Sequence, residues 1–310
     1  MEKIIPFPKY DFIAIKKKYT IGAMETFLWE NLSNTLVAGL LFAASSGIAW
    51  YAGFYRWRFP IQKEGEVSLI DLIFGIGIFL LAAIVIAPGI AGIFIYLLTG
   101  SIEVGKPDVS SWINIFAIYF SSGCVLLYAA SLRREKTLAI WGQETRERHI
   151  KSFVFGAGAW LVGYFAMLFV GQGVATIVTF VTGEELVDQV AVKQVKDLLG
   201  RPLLFTATVA AVITVVPIVE EILFRGLLQS WLRQKLGRVS SIVLASLIFS
   251  LFHFSSSQEY SNIPLLASLF TLSLYLGFVY EKRNSLWAPI GLHMTFNTIS
   301  IMMITQTTTV

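Results

Sequence analysis

Long apolar runs separated by short polar segments make up most of this chain. A helix needs about 20 residues to cross a membrane, and eight runs approach or exceed that length: 32–55, 69–98, 112–132, 153–182, 202–232, 240–255, 263–280 and 286–304. The pattern predicts an all-α fold, namely a polytopic helical membrane protein with about eight transmembrane helices. We expect Pro88-Gly89 to kink the second run without dividing it.

The polar residues predict three regions. Residues 1–31 carry five lysines ahead of the first apolar run, so we expect a polar N-terminal tail or an interfacial helix. Residues 32–200 form an N-terminal membrane region, and residues 201–305 form a second membrane region that holds the candidate chemistry. The mixed charges of residues 133–151 predict a solvated loop. Six glycines are expected to be close helix-packing positions: Gly75, Gly77, Gly89, Gly92, Gly156 and Gly158.

Composition narrows the class of protein. Hydrophobic residues make up 55% of the chain and charged residues only 14%, which is typical of multi-pass membrane proteins rather than soluble enzymes. The single cysteine, Cys124, lies in an apolar run, so no disulfide framework is present. The net charge of +4 is small. Because the sequence has neither a basic-aromatic patch nor a phosphate-binding glycine loop, we expect membrane lipids as partners and no nucleic acid.

The distribution of Lys and Arg predicts an orientation for the last four runs. Loops that are rich in these residues usually face the cytoplasm. The loops after the fifth and seventh runs contain such residues, whereas residues 256–262 and the C-terminal tail contain none. We therefore expect those two loops to be cytoplasmic, in a protein of the cell membrane, or of the endoplasmic reticulum if the source is a eukaryote.

One apolar run contains three ionisable residues within the segment 217–226. A charge at the centre of a bilayer costs about 3 kcal/mol or more, so such residues are rare and usually functional. Glu221 and Arg225 are four apart with the acid first, which favours an ion pair on one helix face. Glu220 points about 100° away from Glu221 on a helix and lacks such a partner. A carboxylate of this kind is suited to accept a proton.

Two histidines lie in later apolar runs. His253 follows Phe249 by four residues and His293 precedes Asn297 by four, so on helices each pair shares a face. A single buried histidine is as often a hydrogen-bonded core residue as a functional one. At about 1.5 Å rise per residue, however, Glu220, both histidines and Asn297 fall at similar depths below the expected cytoplasmic boundary. We therefore expect them to form one intramembrane site.

Three motifs in this region resemble those of the CPBP family, which comprises the type II CAAX prenyl endopeptidases and the bacteriocin-processing enzymes and was formerly called the Abi family. The resemblance covers about residues 200–305, and the order, the spacing and the membrane setting of the motifs all agree with it. The motifs are Glu220-Glu221-x-x-x-Arg225, Phe249-x-x-x-His253 and His293-x-x-x-Asn297.

The resemblance implies an eight-helix intramembrane endopeptidase that acts on a polypeptide or a lipidated peptide and has a cavity open to the cytoplasm. It implies that Glu220 and His253 activate water, while His293 and Asn297 hold the oxyanion. Amide hydrolysis needs such a base, such donors and an acid for the leaving nitrogen, and this mechanism requires no cofactor. Three residues would support the site: Glu221, Arg225 and Phe249.

Other classes of function fit parts of the same pattern. Glu220, His253 and His293 would also form the ligand set of a zinc hydrolase, although no His-Glu-x-x-His helix is present. In that case Asn297, a poor zinc ligand, would have no evident role. Intramembrane Glu and His also mark ion paths in transporters, and a catalytically silent scaffold of the same fold is a further alternative. Residues 1–200 contain no motif that identifies the substrate.

Overall fold

The computed structural model describes residues 21–56, 66–100, 107–142, 146–183 and 186–308, and these ranges are largely helical, with no strand among them. The α-helices are, in chain order, α1 (Ile21–Tyr51), α2 (Leu69–Leu81), α3 (Ala87–Thr99), α4 (Pro107–Ser131), α5 (Arg134–Trp141), α6 (Arg146–Thr182), α7 (Val190–Asp197), α8 (Pro202–Ala210), α9 (Val216–Glu221), α10 (Ser230–Leu251), α11 (Asn262–Arg283) and α12 (Trp287–Thr308). Three π-helical segments and one 3₁₀-helix connect some of them: Ala82–Ile86, Ala211–Val215, Ile222–Gln229 and Ser256–Ser261.

Within the described residues, six helical stretches are long and apolar enough to cross a membrane: Trp29–Tyr51, Leu69–Thr99, Asp108–Ser131, Glu147–Thr182, Pro202–Leu251 and Ser256–Arg283. They confirm the predicted all-α, polytopic membrane fold. The fifth stretch is interrupted at Gly237, whose φ of 77° and ψ of 178° are not helical. With this division and the additional helix α12, the predicted number of about eight is approximately right.

The N-terminal part of the chain starts with helix α1, and the second apolar run stays helical across Pro88. Residues 21–31 lie in α1 together with the first apolar run, and residues 1–20, on which much of the predicted tail falls, lie outside the described residues. The second run continues as a helix through Pro88, as expected. The π-helical segment 82–86 comes just before this proline, and the N–H of Ala87, the next residue, donates to the carbonyl of Ala82.

The prediction of a solvated loop over residues 133–151 is wrong for the part that forms α5. Ile140 is fully buried, and a Cβ atom on Gly226 would come within 2.6 Å of its Cγ2. The hydroxyl of Tyr280 also lies within hydrogen-bond distance of the Ala139 and Ile140 carbonyls. This helix is too short to cross a membrane, and its apolar residues are instead buried against the π-helical segment 222–229.

Helix α12 is held in place by very close packing against α6. A Cβ atom on Gly156 would overlap the carbonyl oxygen of Ala288, and one on Gly291 would overlap that of Phe153. Because neither glycine has a side chain, the two helix backbones come into contact. This contact fixes the helix that carries His293.

Only two of the six glycines expected at packing positions have that role. At Gly156, and at Gly75, where a Cβ atom would lie 2.5 Å from Leu227 Cδ1, the expectation is confirmed. It is wrong for the other four, since a Cβ atom there would meet no described atom within 4 Å: Gly77, Gly89, Gly92 and Gly158. A glycine in an apolar run therefore does not by itself identify a helix contact.

Candidate active site

The two adjacent glutamates lie at the end of α9, between two π-helical segments. Such segments are rare within helices and are frequent at functional sites. The side chain of Glu221 is fully buried, whereas 21% of the Glu220 side chain is exposed. The sequence predicted that the two acids point in different directions, and the structure gives them different surroundings.

Glu221 is paired with Arg225, as their spacing predicted. Arg225 Nη1 donates to Glu221 Oε1 at 3.1 Å, and Nη2 donates to the Oγ and the carbonyl oxygen of Ser273 at 2.7 and 3.3 Å. The Arg225 guanidinium carbon also lies 4.7 Å from the centre of the Phe249 ring. Since only 1% of the arginine side chain is exposed, its charge depends on these contacts. Ser273 was missed in the sequence because serine is common in membrane helices.

His293 is held by the same buried carboxylate. Its Nδ1 lies 2.7 Å from Glu221 Oε1, and its Nε2 lies 3.7 Å from Glu220 Oε2. A carboxylate accepts hydrogen bonds, so the Nδ1 atom is assigned the proton and donates to Glu221. Glu221 therefore orients the imidazole so that Nε2 faces Glu220.

His253 faces Glu220 from another direction. It lies just beyond the end of α10 rather than within the helix, and its Nδ1 is 2.9 Å from the carbonyl oxygen of Phe249. A carbonyl can only accept, so Nδ1 carries the proton and Nε2 is an acceptor in the neutral ring. This Nε2 atom lies 4.0 Å from Glu220 Oε1.

The ring of Phe249 connects these groups. It is almost fully buried, and its centre lies 4.8 Å from the His253 ring and 6.1 Å from the His293 ring, which it meets edge to face. With Arg225 also in contact, Phe249 touches three of the polar side chains. Its place in the motif is therefore explained by packing.

Asn297 donates to a backbone carbonyl that has no helical donor, in the helical segment that precedes Glu220. Val216 N–H donates to the carbonyl of Ala211, five residues back, and Pro217 has no N–H. The Val212 carbonyl therefore lacks the two helical donors, at positions 216 and 217, that could reach it. Asn297 Nδ2 donates to this carbonyl at 2.8 Å. The contact uses one of the two N–H bonds of the amide, so the second is left for another acceptor.

An apolar cavity of about 170 Å³ opens beside Glu220 and His253. The rest of its lining is aliphatic and aromatic: Ile76, Phe79, Leu223, Phe224 and Phe252. Glu220 and His253 are thus the polar groups that a molecule in this cavity would meet. Ile76 and Phe79 belong to α2. Their position at the cavity could not be predicted, because nothing in the apolar run distinguishes them from lipid-facing residues.

The zinc alternative can be tested against this arrangement. A catalytic zinc site needs three protein ligand atoms about 2.0–2.2 Å from one point. Both histidines direct Nε2 towards Glu220, as ligands would. Even so, no three His, Cys, Asp or Glu side chains are grouped to hold a metal ion in the part of the chain that the structure describes. The mechanism proposed below uses no metal, and chelation of the purified protein tests that choice.

The apolar helices define a multi-pass integral membrane protein, and two of its polar groups, Glu220 and His253, line one apolar cavity. Residues 202–299 match the family described as type II CAAX prenyl endopeptidase Rce1-like. The match confirms the resemblance seen in the three motifs, all of which lie within the matched residues, and it supports an intramembrane protease as the general class.

Two curated proteins show more distant similarity. An uncharacterized 24.3 kDa protein of Escherichia coli is 24% identical over 187 residues, which cover 60% of this chain and 80% of that protein. YdiL of Bacillus subtilis (strain 168), provisionally named a membrane peptidase, is 25% identical over 146 residues, which cover 46% of this chain and 54% of YdiL. No solved structure matches the chain.

Proposed function

We propose that this protein is an intramembrane endopeptidase that hydrolyses a peptide bond with water activated by Glu220 and His253. The observation that carries the proposal is that Glu220 Oε1 and His253 Nε2, two acceptors, face each other 4.0 Å apart at an apolar cavity. Two facing acceptors need a donor between them, and a water molecule has the two O–H bonds required. Its oxygen would then be directed at a substrate held in the cavity.

The proposed reaction has two proton transfers. Glu220 takes a proton from the water as the water oxygen bonds to the carbonyl carbon, and the carbonyl electron pair moves to the oxygen. The protonated Glu220 then gives its proton to the nitrogen as the C–N bond breaks, which leaves a carboxylic acid and an amine. His253 orients the water, and general-base catalysis of this kind contributes about 10²–10⁴-fold in rate.

Stabilisation of the oxyanion is proposed for His293 and Asn297. Since the Nδ1–H of His293 donates to Glu221, only an Nε2–H could reach the oxyanion, so the ring would be doubly protonated. The charges of Glu220, Glu221, Arg225 and protonated His293 then sum to zero. An apolar site disfavours net charge, which supports this protonation state. Asn297 would contribute the second N–H of its amide.

The test compares the purified wild type with Glu220→Gln and His253→Ala variants in detergent micelles, with Glu147→Gln, a change at an exposed acid, as the control. We expect both site variants to lose at least about 100-fold in rate while they remain folded in the micelles, and the control to keep wild-type activity. Wild-type rates in either site variant would contradict the assignment.

The family match extends the proposal to a substrate class. We propose a CAAX-like polypeptide or a lipidated peptide as substrate, since the matched family is described as CAAX prenyl endopeptidases. Cleavage of matched C-terminal CAAX peptides with and without a prenyl group would test this. Equal rates for the two forms, or cleavage only of unrelated peptides, would remove prenylated C-termini from the proposal and leave the endopeptidase assignment in place.

A further inference from the structure

Helix α2 contributes one wall of the cavity next to the proposed catalytic groups. Ile76 and Phe79 are three residues apart, so they lie on the same face of the helix. Both are half-buried, line the cavity and pack against the main apolar core. They also lie outside residues 202–299, which match the peptidase family, and neither has a role in the mechanism proposed above.

The position of this wall is fixed by contacts along α2. Ser68 and Asp71 form a reciprocal capping box at its start, and Lys136 Nζ donates to both Asp71 carboxylate oxygens at 2.8 and 2.7 Å. One turn further on, Gly75 allows the helix to approach Leu227 so closely that a Cβ atom would lie 2.5 Å from it. The part of α2 that carries Ile76 and Phe79 is therefore held against the helix that carries Glu220.

The size and the chemistry of the cavity indicate what it can hold. Its volume is about 170 Å³, and an apolar cavity of about 150 Å³ in another protein takes up one benzene molecule. Cavities for drug-sized ligands are larger, about 300–1,000 Å³. Apart from Glu220 and His253, the lining has no side chain that could bond to a polar group. The cavity therefore fits a single side chain such as that of Leu, Ile, Met or Phe.

We propose that Ile76 and Phe79 are specificity-determining residues, and that the cavity is the subsite for one apolar side chain next to the bond that is cleaved. The subsite adjoins that bond because Glu220 and His253, which would activate the water, line the same cavity. This inference rests on the proposed endopeptidase function and adds the class of residue that the enzyme selects. Part of the selection would then be made by the N-terminal membrane region, outside the matched segment, because α2 supplies one wall of the cavity.

The test uses internally quenched peptides that differ only in the two residues beside the cleaved bond, with the cleavage position read by mass spectrometry. The wild type in detergent micelles should cleave peptides with Leu, Ile, Met or Phe at one of these positions at least about tenfold faster, in kcat/KM, than those with Ala, Asp or Lys, because one methylene in such a pocket changes the rate about 10–200-fold.

Variants on α2 then change the shape of the subsite. Phe79→Ala enlarges the cavity and should shift the preference by about tenfold towards Phe and Trp, whereas Ile76→Phe fills it and should favour Ala. Phe79→Leu, which keeps most of the apolar wall, should retain the wild-type order. Phe74→Ala is the matched control, because Phe74 is on the same helix but is 57% exposed and does not line the cavity. The preference of this variant should equal that of the wild type.

The outcomes separate this inference from the function on which it rests. A preference that stays unchanged in both Phe79→Ala and Ile76→Phe while cleavage continues would overturn the subsite alone. Equal cleavage of Asp, Lys and Leu peptides by the wild type would do the same. Loss of all cleavage in Glu220→Gln, together with a shifted preference in the α2 variants, would support both proposals. A wild type that cleaves none of the peptides, whether or not they carry a prenyl group, would overturn the endopeptidase assignment and the subsite with it.

Discussion

Replacement of Glu221 by Gln should destabilise the protein far more than the same replacement of its neighbour Glu220. Glu221 Oε1 is 3.1 Å from Arg225 Nη1 and 2.7 Å from His293 Nδ1, and both the acid and the arginine are almost entirely inaccessible. A glutamine keeps the oxygen but removes the charge. The buried guanidinium then loses the charge of its carboxylate partner, and its remaining partners are neutral oxygens, two of them from Ser273, and the Phe249 ring.

The magnitude follows from the burial of the arginine. Removal of one partner of a buried ion pair costs about 3–5 kcal/mol, which corresponds to a roughly 100- to 4,000-fold change in the unfolding equilibrium. Glu220 is partly exposed and lies 3.7 Å or more from both histidines, beyond ordinary hydrogen-bond length. Glu220→Gln should therefore cost much less stability than Glu221→Gln while it removes the activity.

The assay is equilibrium unfolding in mixed micelles with increasing SDS, followed by the fluorescence of the eight tryptophans. The double variant Glu221→Gln with Arg225→Met tests the cause, since it removes the unpaired charge but keeps an acceptor for His293. We expect it to recover most of the lost stability. Equal unfolding midpoints for Glu220→Gln and Glu221→Gln would refute the reasoning, as would a double variant no more stable than Glu221→Gln.

Three further predictions concern the backbone contact, the metal and the orientation. Asn297→Asp should lower the free energy of unfolding by about 1–3 kcal/mol, because a carboxylate cannot donate to the Val212 carbonyl. Asn297→Gln, whose amide can still donate, should lose less stability than Asn297→Asp. Equal SDS midpoints for Asn297→Asp and the wild type would show that the contact contributes nothing. Exhaustive chelation should leave the proteolytic activity intact, and elemental analysis of the active protein should find far less than one metal per chain. Activity that is lost with a chelator and restored by stoichiometric zinc would overturn the metal-free mechanism. The orientation can be tested with single cysteines in a Cys124→Ser background. Lys235→Cys should react with a membrane-impermeant thiol reagent only from the cytoplasmic side, and Ser257→Cys only from the opposite side. The reverse labelling would invert the predicted orientation.

Contacts between residues close in the sequence could be predicted well. The pair Glu221 and Arg225 is read directly from a spacing of four on a helix, because one turn of helix brings such side chains together wherever the helix lies. The continuation of the second run across Pro88 was predicted for a similar reason, since a proline removes one hydrogen bond without requiring the helix to end. The membrane class follows from apolar length, which is also a property of single segments.

The partners of the site residues across the bundle could not be predicted in the same way. Nothing in the spacing of His293 and Asn297 shows that the first would donate to Glu221 or that the second would donate to the carbonyl of Val212. Spacing along the chain predicts an approximate depth for each histidine, but the direction that His293 faces depends on how α6 and α12 pack through Gly156 and Gly291.

The sequence by itself therefore determined the class of protein, the long apolar helical segments and the set of ionisable residues that belong together. Only the tertiary structure decided that α5 packs against the segment that carries Arg225, and that Ile76 and Phe79 of α2 line the cavity at Glu220. The physical reason is that an apolar side chain is favoured equally by lipid and by a neighbouring helix. Hydrophobicity alone therefore cannot show which of the two surrounds it, whereas close packing between helices distant in the sequence does.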